Sequence, residues 1–337
     1  MKEDRIRLPE VAALELTYRC SHRCLFCSCP WEADPGYRRE ELSTDEWKEA
    51  VGILADNGVR AITLTGGEPL MRPDIRELIG YVSDLGLQLT LISNGRDMDG
   101  AFLRLLAGRG AGLCISVPGI STFEAHTGVD NVDHVLGLFR QARDLGMRVT
   151  ANVTVTKLNL PELYENLALP LIHGAEYILL NRFLPGGRGL QHRELMLNAR
   201  EVNEMLDTAE TVLAKAGRYG HVGTELPLCA VRDPGRYRHL QVSSRCAAAK
   251  GFFVVDPSGY VKVCNHSPVR VCRYPEIGTL EENGYWRAYT RRDYIPAMCA
   301  GCEKGGACDG GCREAAHVFR GSIHGADPLF PEDREKP

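Results

Sequence analysis

Val11-Ala12-Ala13-Leu14-Glu15-Leu16-Thr17-Tyr18-Arg19-Cys20-Ser21-His22-Arg23-Cys24-Leu25-Phe26-Cys27 opens on a strand-like run and closes on three cysteines spaced C-x3-C-x2-C. Similar β-branched runs recur at residues 60–64, 88–92, 112–117, 148–155 and 177–181. Helix-like stretches separate them. Thr44-Asp45-Glu46 starts one that Asn57-Gly58 stops, and Pro73-Asp74 starts another that ends near Gly86. Further helical patterns cover 99–107, 132–145, 160–173 and 199–216. Six strands alternating with helices predict an α/β fold with a parallel sheet and crossover helices. Six units fall short of the roughly eight that close a barrel, so an open, partial barrel is expected, with its chemistry at the C-terminal strand ends. Cys20, Cys24 and Cys27 stand at such an end.

The chain has 337 residues, a net charge of −4 and 44% hydrophobic residues. That charge lacks the basic footprint of a nucleic-acid binder. No apolar run reaches the length of about 18 residues that a membrane helix needs. The charged first ten residues lack a secretory h-region, so a cytoplasmic protein is expected. Cysteine is unusual. There are 13, with four between Cys20 and Cys29, seven between Cys246 and Cys312, and only Cys114 and Cys229 elsewhere. In a reducing compartment such clustering points to metal rather than disulfides. Three thiolates can hold three irons of a 4Fe–4S cluster and leave the fourth iron open. Zinc is the alternative, with His22 or Cys29 as a fourth ligand.

The cysteine loop, with Phe26 before its last cysteine, resembles the motif of the radical S-adenosylmethionine superfamily. Gly66-Gly67-Glu68-Pro69, after the second strand, is similar to that superfamily's GGE motif. The resemblance implies that its backbone binds the amino group of the cosubstrate. Glycines allow close approach to the backbone, and a carboxylate suits an ammonium. Ser93 and Asn94, Ser116, and Asn152 with Thr154 end the next three strands. By the same resemblance they contact the ribose and carboxylate of S-adenosylmethionine. Arg182 after the sixth strand is expected to pair with a carboxylate, and residues 185–189 read as a flexible loop near the barrel mouth or as only a connector.

Residues 218–245 show no period and read as a connector after a barrel spanning 11–217. From 246 to 330 the chain is rich in Gly, Cys and Pro, with one hairpin signal turning at Asp256-Pro257-Ser258-Gly259. So loop-rich a segment has little core of its own, and bound metal would stabilise it. Its cysteines follow two spacings. Cys246 is followed by twelve residues, Gly259, four residues and Cys264; later comes Cys299-x2-Cys302-x5-Cys308-x3-Cys312. This resembles the SPASM extension of radical S-adenosylmethionine enzymes, which implies two auxiliary 4Fe–4S clusters. The family pattern ends on one more cysteine, where Phe330 stands here. By analogy Cys246, Cys264 and Cys312 form one site with Cys229 as fourth ligand. Cys299, Cys302 and Cys308 form the other, completed by Cys272, Asp327 or no residue.

The resemblance implies cleavage of S-adenosylmethionine to a 5′-deoxyadenosyl radical that abstracts hydrogen from an unactivated carbon. Oxidation or crosslinking of a ribosomally made peptide is the first expectation. A small-molecule oxidase or decarboxylase in cofactor or haem-type synthesis is the alternative. Residues 1–10 alone precede the first strand, so a separate leader-binding protein or sheet-edge pairing is expected to hold the peptide. Flavodoxin or ferredoxin is the expected electron donor. Cys114 shares a strand face with Ser116, which makes its thiol a candidate hydrogen donor to a substrate radical.

Overall fold

The computed structural model describes residues 8–330. Eleven strands form one sheet in the order β11-β10-β9-β1-β2-β3-β4-β5-β6-β7-β8. They are β1 (Val11–Glu15), β2 (Ala61–Thr65), β3 (Gln88–Ser93), β4 (Gly112–Ser116), β5 (Val149–Val155), β6 (Tyr177–Arg182), β7 (Tyr219–Val222), β8 (Leu240–Gln241), β9 (Phe252–Val255), β10 (Tyr260–Lys262) and β11 (Cys272–Arg273). From β1 to β8 each strand pairs parallel with the next, as helical crossovers require. The crossovers include α1 (Thr44–Asp56), α2 (Ile75–Asp84), α3 (Gly100–Gly108), the short α4 (Phe123–Thr127), α5 (Val132–Asp144), α6 (Leu163–His173) and α7 (Ala199–Ala216). Beyond them lie α8 (Gly284–Arg291) and α9 (Arg313–Arg320).

Strand alternation explains where the cavity lies. On β5, Val149, Ala151, Val153 and Val155 are buried against the helices, whereas Thr150, Asn152 and Thr154 are only half-buried. A parallel strand covered on both faces would be apolar throughout. Alternation here means that one face meets the helical layer and the other lines a space. The helices match this layer. α1 buries Trp47, Ala50, Val51 and Leu54, one stripe at helical spacing, and starts on a Ser43–Glu46 capping box. Burying Val51 or Leu54 contributes roughly 1.5–3 kcal/mol each.

Two expectations for the second half change. The stretch 218–245 carries β7 and β8, which extend the parallel sheet. Strands of four and two residues are too short to show a period. The extension also shares the main core. β9 pairs parallel with β1, and Phe253, Trp286, Tyr289 and Tyr294 join the hydrophobic cluster of the barrel. Burial of its own aromatics therefore helps hold this segment. The hairpin turn is as expected: Gly259 N–H donates to Asp256 O at 2.9 Å, with Gly259 at φ +82°.

Candidate active site

Cys20, Cys24 and Cys27 lie on a loop gripped from three sides. Gly67 N–H donates to Thr17 O and Glu68 N–H to Arg19 O, both at 2.8 Å. A Cβ on Gly67 would stand 2.1 Å from Arg19 O, and one on Gly66 2.9 Å from Leu16 N. The two glycines thus admit the backbone leading into the cysteine loop, a role the sequence reading gave to a ligand. From α4, His126 O and Thr127 O accept Leu25 N–H and Arg23 N–H, each at 2.8 Å. On the third side Gly189 N–H donates to Cys27 O at 3.1 Å, and a Cβ on Gly187 would meet Cys29 O at 2.3 Å. Residues 185–189, expected to be an open flexible loop, are packed against the cysteines. Arg188 donates to Cys24 O at 3.1 Å and pairs with Glu32.

These thiols face a cavity of about 680 Å³ that Cys246, Cys264 and Cys312 also line. The two cysteine groups therefore share one chamber. Around the first group the polar surroundings suit sulfur that carries negative charge. His22 N–H and Asn94 Nδ2–H approach the Cys20 sulfur at 3.5 and 3.8 Å. Burial pushes the Cys20 thiol up to about 11, while a hydrogen bond from the Cys29 thiol holds Cys27 below its ordinary range. Among the described residues no three His, Cys, Asp or Glu side chains gather as a single metal ion needs. His22 Nε2, buried in the cavity wall without a protein partner, leaves a place for a polar ligand group.

The residues expected around S-adenosylmethionine divide in two. Asn94, Ser116, Asn152, Thr154 and the backbone of 66–67 line the cavity. Glu68 and Ser93 line it too, but their polar atoms are engaged. Glu68 accepts Ser93 Oγ–H at 2.9 Å, Asn94 N–H at 2.8 Å and Leu70 N–H at 3.1 Å. Burial raises its carboxyl to about 7 despite those donors. Its observed work is to tie β2 to β3 beside Cys20. Pro69 continues the chain into the 3-10 turn Pro69–Met71.

Arg182 departs from expectation. Its guanidinium is buried, pairs with Asp327 at 2.5 Å and donates to Glu225 O at 3.0 Å. The carboxylate it meets is therefore one of the chain's own, and the pair locks β6 to the end of the extension while Arg182 still lines the cavity. Cys114 is buried, lies outside the cavity lining, and burial raises its thiol to about 12. It lies two residues before Ser116 on β4, and only Ser116 of the two lines the chamber.

The second auxiliary group also differs. Cys229 lines a cavity of about 270 Å³ with Cys299, Cys302 and Cys308, away from Cys246, Cys264 and Cys312. Leu228 N–H and Gly310 N–H approach the Cys308 sulfur at 3.5 and 3.3 Å, so the chain around Cys229 is held directly to this site. Phe330 forms apolar wall there. Asp327 is turned away, accepting Cys312 N–H at 2.7 Å and Leu329 N–H at 2.8 Å. Cys272 sits on β11 opposite Val261 and lines neither cavity.

Sequence reading passed over Glu15, Glu225, His266 and Glu314, all in the main cavity wall. Glu15 carried a signal: it shares the parity of Val11 and Ala13, the inward face, where a charge is out of place unless paired. Its partner is Lys262, fully buried, at 2.8 Å. Glu314 accepts Tyr289 Oη–H at 2.6 Å and pairs with His317 at 3.1 Å. No local pattern marked these longer-range partners.

The sequence profile of the Radical SAM superfamily matches residues 14–167. The chain is 28% identical to the AdoMet-dependent heme synthase of Oleidesulfovibrio alaskensis, across 99% of this chain and 90% of that one. It is also 28% identical to the PqqA peptide cyclase of Rhizobium meliloti, across 96% of this chain and 87% of that one. Streptococcus suis SuiB bound to S-adenosylmethionine shares the fold at TM-score 0.73 and 15% identity, covering 96% of this chain and 77% of SuiB. The anSMEcpe structure with bound AdoMet does so at TM-score 0.70 and 14% identity, covering 95% and 92%. Among the described residues no helix is long and apolar enough to cross a membrane.

Proposed function

Because this chain is a radical S-adenosylmethionine enzyme with a SPASM-type cysteine-rich domain, we propose that it modifies a residue within a peptide by oxidation or crosslinking. Cys20, Cys24 and Cys27 hold the 4Fe–4S cluster that binds S-adenosylmethionine. Cys246, Cys264 and Cys312 hold one auxiliary 4Fe–4S cluster, and Cys229, Cys299, Cys302 and Cys308 the other. When bound, the first cluster and S-adenosylmethionine supply the electron transfer and the hydrogen abstraction. The chain's own part is to hold the cysteine loop through Gly66, Gly67 and Arg188, and to present Asn94, Ser116, Asn152 and Thr154 to the cosubstrate.

The observation that carries this reading is the shared chamber, where a substrate faces both cysteine groups at once. Net oxidation needs an electron acceptor near the reacting carbon, and Cys246, Cys264 and Cys312 provide the place for one. The haem-synthase relative favours a second reading, oxidation of a tetrapyrrole. Cavity charge favours the first. The only Arg or Lys residues among the described lining are Arg182 and Arg188, and both are already ion-paired. The lining carboxylates Glu15 and Glu314 are likewise paired, with Lys262 and His317, so no unpaired Arg or Lys is left in the described lining for a polycarboxylate. A flavodoxin or ferredoxin would deliver electrons, and a separate protein would hold a peptide leader.

Anaerobic reconstitution tests the cofactor content. Three clusters correspond to about 12 iron atoms per chain, and replacing Cys20, Cys24 and Cys27 with Ala removes about four. Formation of 5′-deoxyadenosine is lost with them. Full iron and full cleavage in that variant would overturn the assignment.

A further inference from the structure

We propose that Asn181 is a positioning residue: it fixes the side-chain amide of Asn152 with its N–H donors toward the chamber, where they meet an oxygen of S-adenosylmethionine. Strand alternation brings the two together. On β6, Ile178 and Leu180 are buried against the helices, whereas Tyr177, Leu179 and Asn181 are half-buried. Asn181 therefore shares the chamber side with Asn152 and Thr154 of β5, and all three line the cavity. In the parallel register Asn181 stands opposite Thr154, and Asn152 opposite Leu179. The two amides are diagonal neighbours, within reach of side chains of that length.

The contact has a direction. Asn181 Nδ2–H donates to Asn152 Oδ1 at 2.9 Å. An asparagine amide carries its acceptor on one corner and its two donors on the other. With Oδ1 held toward β6, Nδ2 of Asn152 is left as the free corner. No acceptor among the described residues claims it, and it is not sealed from the cavity that Asn152 lines.

Asn181 is itself held from the far side. Gly223 follows β7, and its N–H donates to Leu180 O at 2.9 Å. A Cβ there would stand 2.6 Å from Asn181 Oδ1 and 2.7 Å from Leu179 Cδ1. Gly223 does not have a positive φ, so space rather than backbone conformation calls for glycine. The room it leaves takes Asn181 Oδ1 on the β7 side and sends Nδ2 toward β5. Gly223, Asn181 and Asn152 thus set one amide orientation across three strands. The chamber has use for it. Arg182 and Arg188, the only Arg or Lys among the described lining, are ion-paired, so a carboxylate or hydroxyl oxygen entering there has to be met by neutral donors. Asn152 fixed as a donor supplies one, whereas a freely turning amide would present its oxygen part of the time.

The inference rests on the reading that Asn152 faces S-adenosylmethionine. The test uses the full chain, reconstituted anaerobically, with binding of labelled S-adenosylmethionine measured by equilibrium dialysis without reductant, so that nothing turns over. The parent is compared with Asn181→Asp, Asn181→Leu, Asn152→Leu and the double variant Asn152→Leu/Asn181→Asp, and iron content is read beside each. A carboxylate at 181 can only accept, so Asn152 turns its N–H toward it and its oxygen toward the chamber. The Kd then rises about tenfold or more, and Asn181→Leu, which only frees the amide, raises it less. In the Asn152→Leu background Asn181→Asp adds less than about twofold, because Asn181 acts through Asn152. Iron content stays at the parent's in all four. An unchanged Kd in Asn181→Asp overturns the proposal, as does its full effect persisting in the double variant, which would be the new charge acting directly, or iron lost in step with binding, which would be a structural role. If Asn152→Leu itself leaves the Kd unchanged, the placing of Asn152 against S-adenosylmethionine fails as well; weakened binding in Asn152→Leu beside an unchanged Asn181→Asp overturns the role of Asn181 alone.

Discussion

Replacing Gly67 with Ala tests how the cysteine loop is seated. The added Cβ would stand 2.1 Å from Arg19 O and 2.7 Å from Arg19 C, both backbone atoms. Ordinary contact between such atoms needs about 3.5 Å, so one segment must move by roughly 1 Å or more. The segments are tied by Gly67 N–H to Thr17 O and Glu68 N–H to Arg19 O, and both bonds lengthen with that movement. Overpacking costs about 1–3 kcal/mol, and each of the two weakened bonds adds about 0.5–1.5 kcal/mol, giving roughly 2–6 kcal/mol together. Arg19 adjoins Cys20, so the same shift displaces a cluster thiol. Gly137→Ala, on α5 where a Cβ meets nothing within 4 Å, is the control. It is expected to stabilise by about 0.5–1 kcal/mol, as Ala favours helix. Urea denaturation reads stability; iron content and 5′-deoxyadenosine formation read the site. If Gly67→Ala stays within about 0.5 kcal/mol of the parent and keeps its iron and cleavage, the close seating of the two segments is wrong.

Cys229→Ala is expected to lower iron by about four atoms while cleavage of S-adenosylmethionine continues, and Cys272→Ala to lose none. The opposite pattern would show that the small cavity is not a cluster site. Glu162 gives a pH test. Burial raises its carboxyl, but donors at Ser121, Thr122 and Ile120 outweigh this and hold it at about 2, below the ordinary 4.5. Its stabilisation is therefore complete above pH 4.5 and lost as pH falls toward 2. Glu162 is partly exposed, so solvent screening trims the effect to about 1 kcal/mol. Denaturation of Glu162→Gln against the parent should show that difference at pH 7 and a shrinking one below pH 4; a difference constant with pH would refute it.

The six barrel strands were legible because each carries β-branched residues in alternation and is bounded by capped helices such as α1 and α7. The cysteine loop was legible because local spacing fixes it. What sequence obscured depends on distant contacts. Arg182 pairs with Asp327, 145 residues away, and no local pattern tells a committed guanidinium from a free one. Sequence put Cys229 with Cys246, Cys264 and Cys312 because an irregular segment gives no direction, whereas in the fold it lies with Cys299, Cys302 and Cys308, where Leu228 N–H meets Cys308. The strands β7 and β8 were hidden by their length, and the shared core by the assumption that loop-rich sequence cannot supply aromatics to a neighbour's core.

The central claim is that hydrogen is removed from a residue held within a peptide in the chamber between the two cysteine groups. The most direct measurement is isotopic. Candidate peptides carrying deuterium at side-chain carbons are incubated with the reconstituted enzyme, S-adenosylmethionine and a reductant without oxygen, beside tetrapyrroles and the same amino acids in free form. Mass spectrometry then follows both substrate and 5′-deoxyadenosine. The account expects deuterium in 5′-deoxyadenosine together with loss of hydrogen mass from one of the peptides, and neither with the free amino acids or tetrapyrroles. Unlabelled 5′-deoxyadenosine with every peptide unchanged, alongside turnover of a tetrapyrrole, would contradict it.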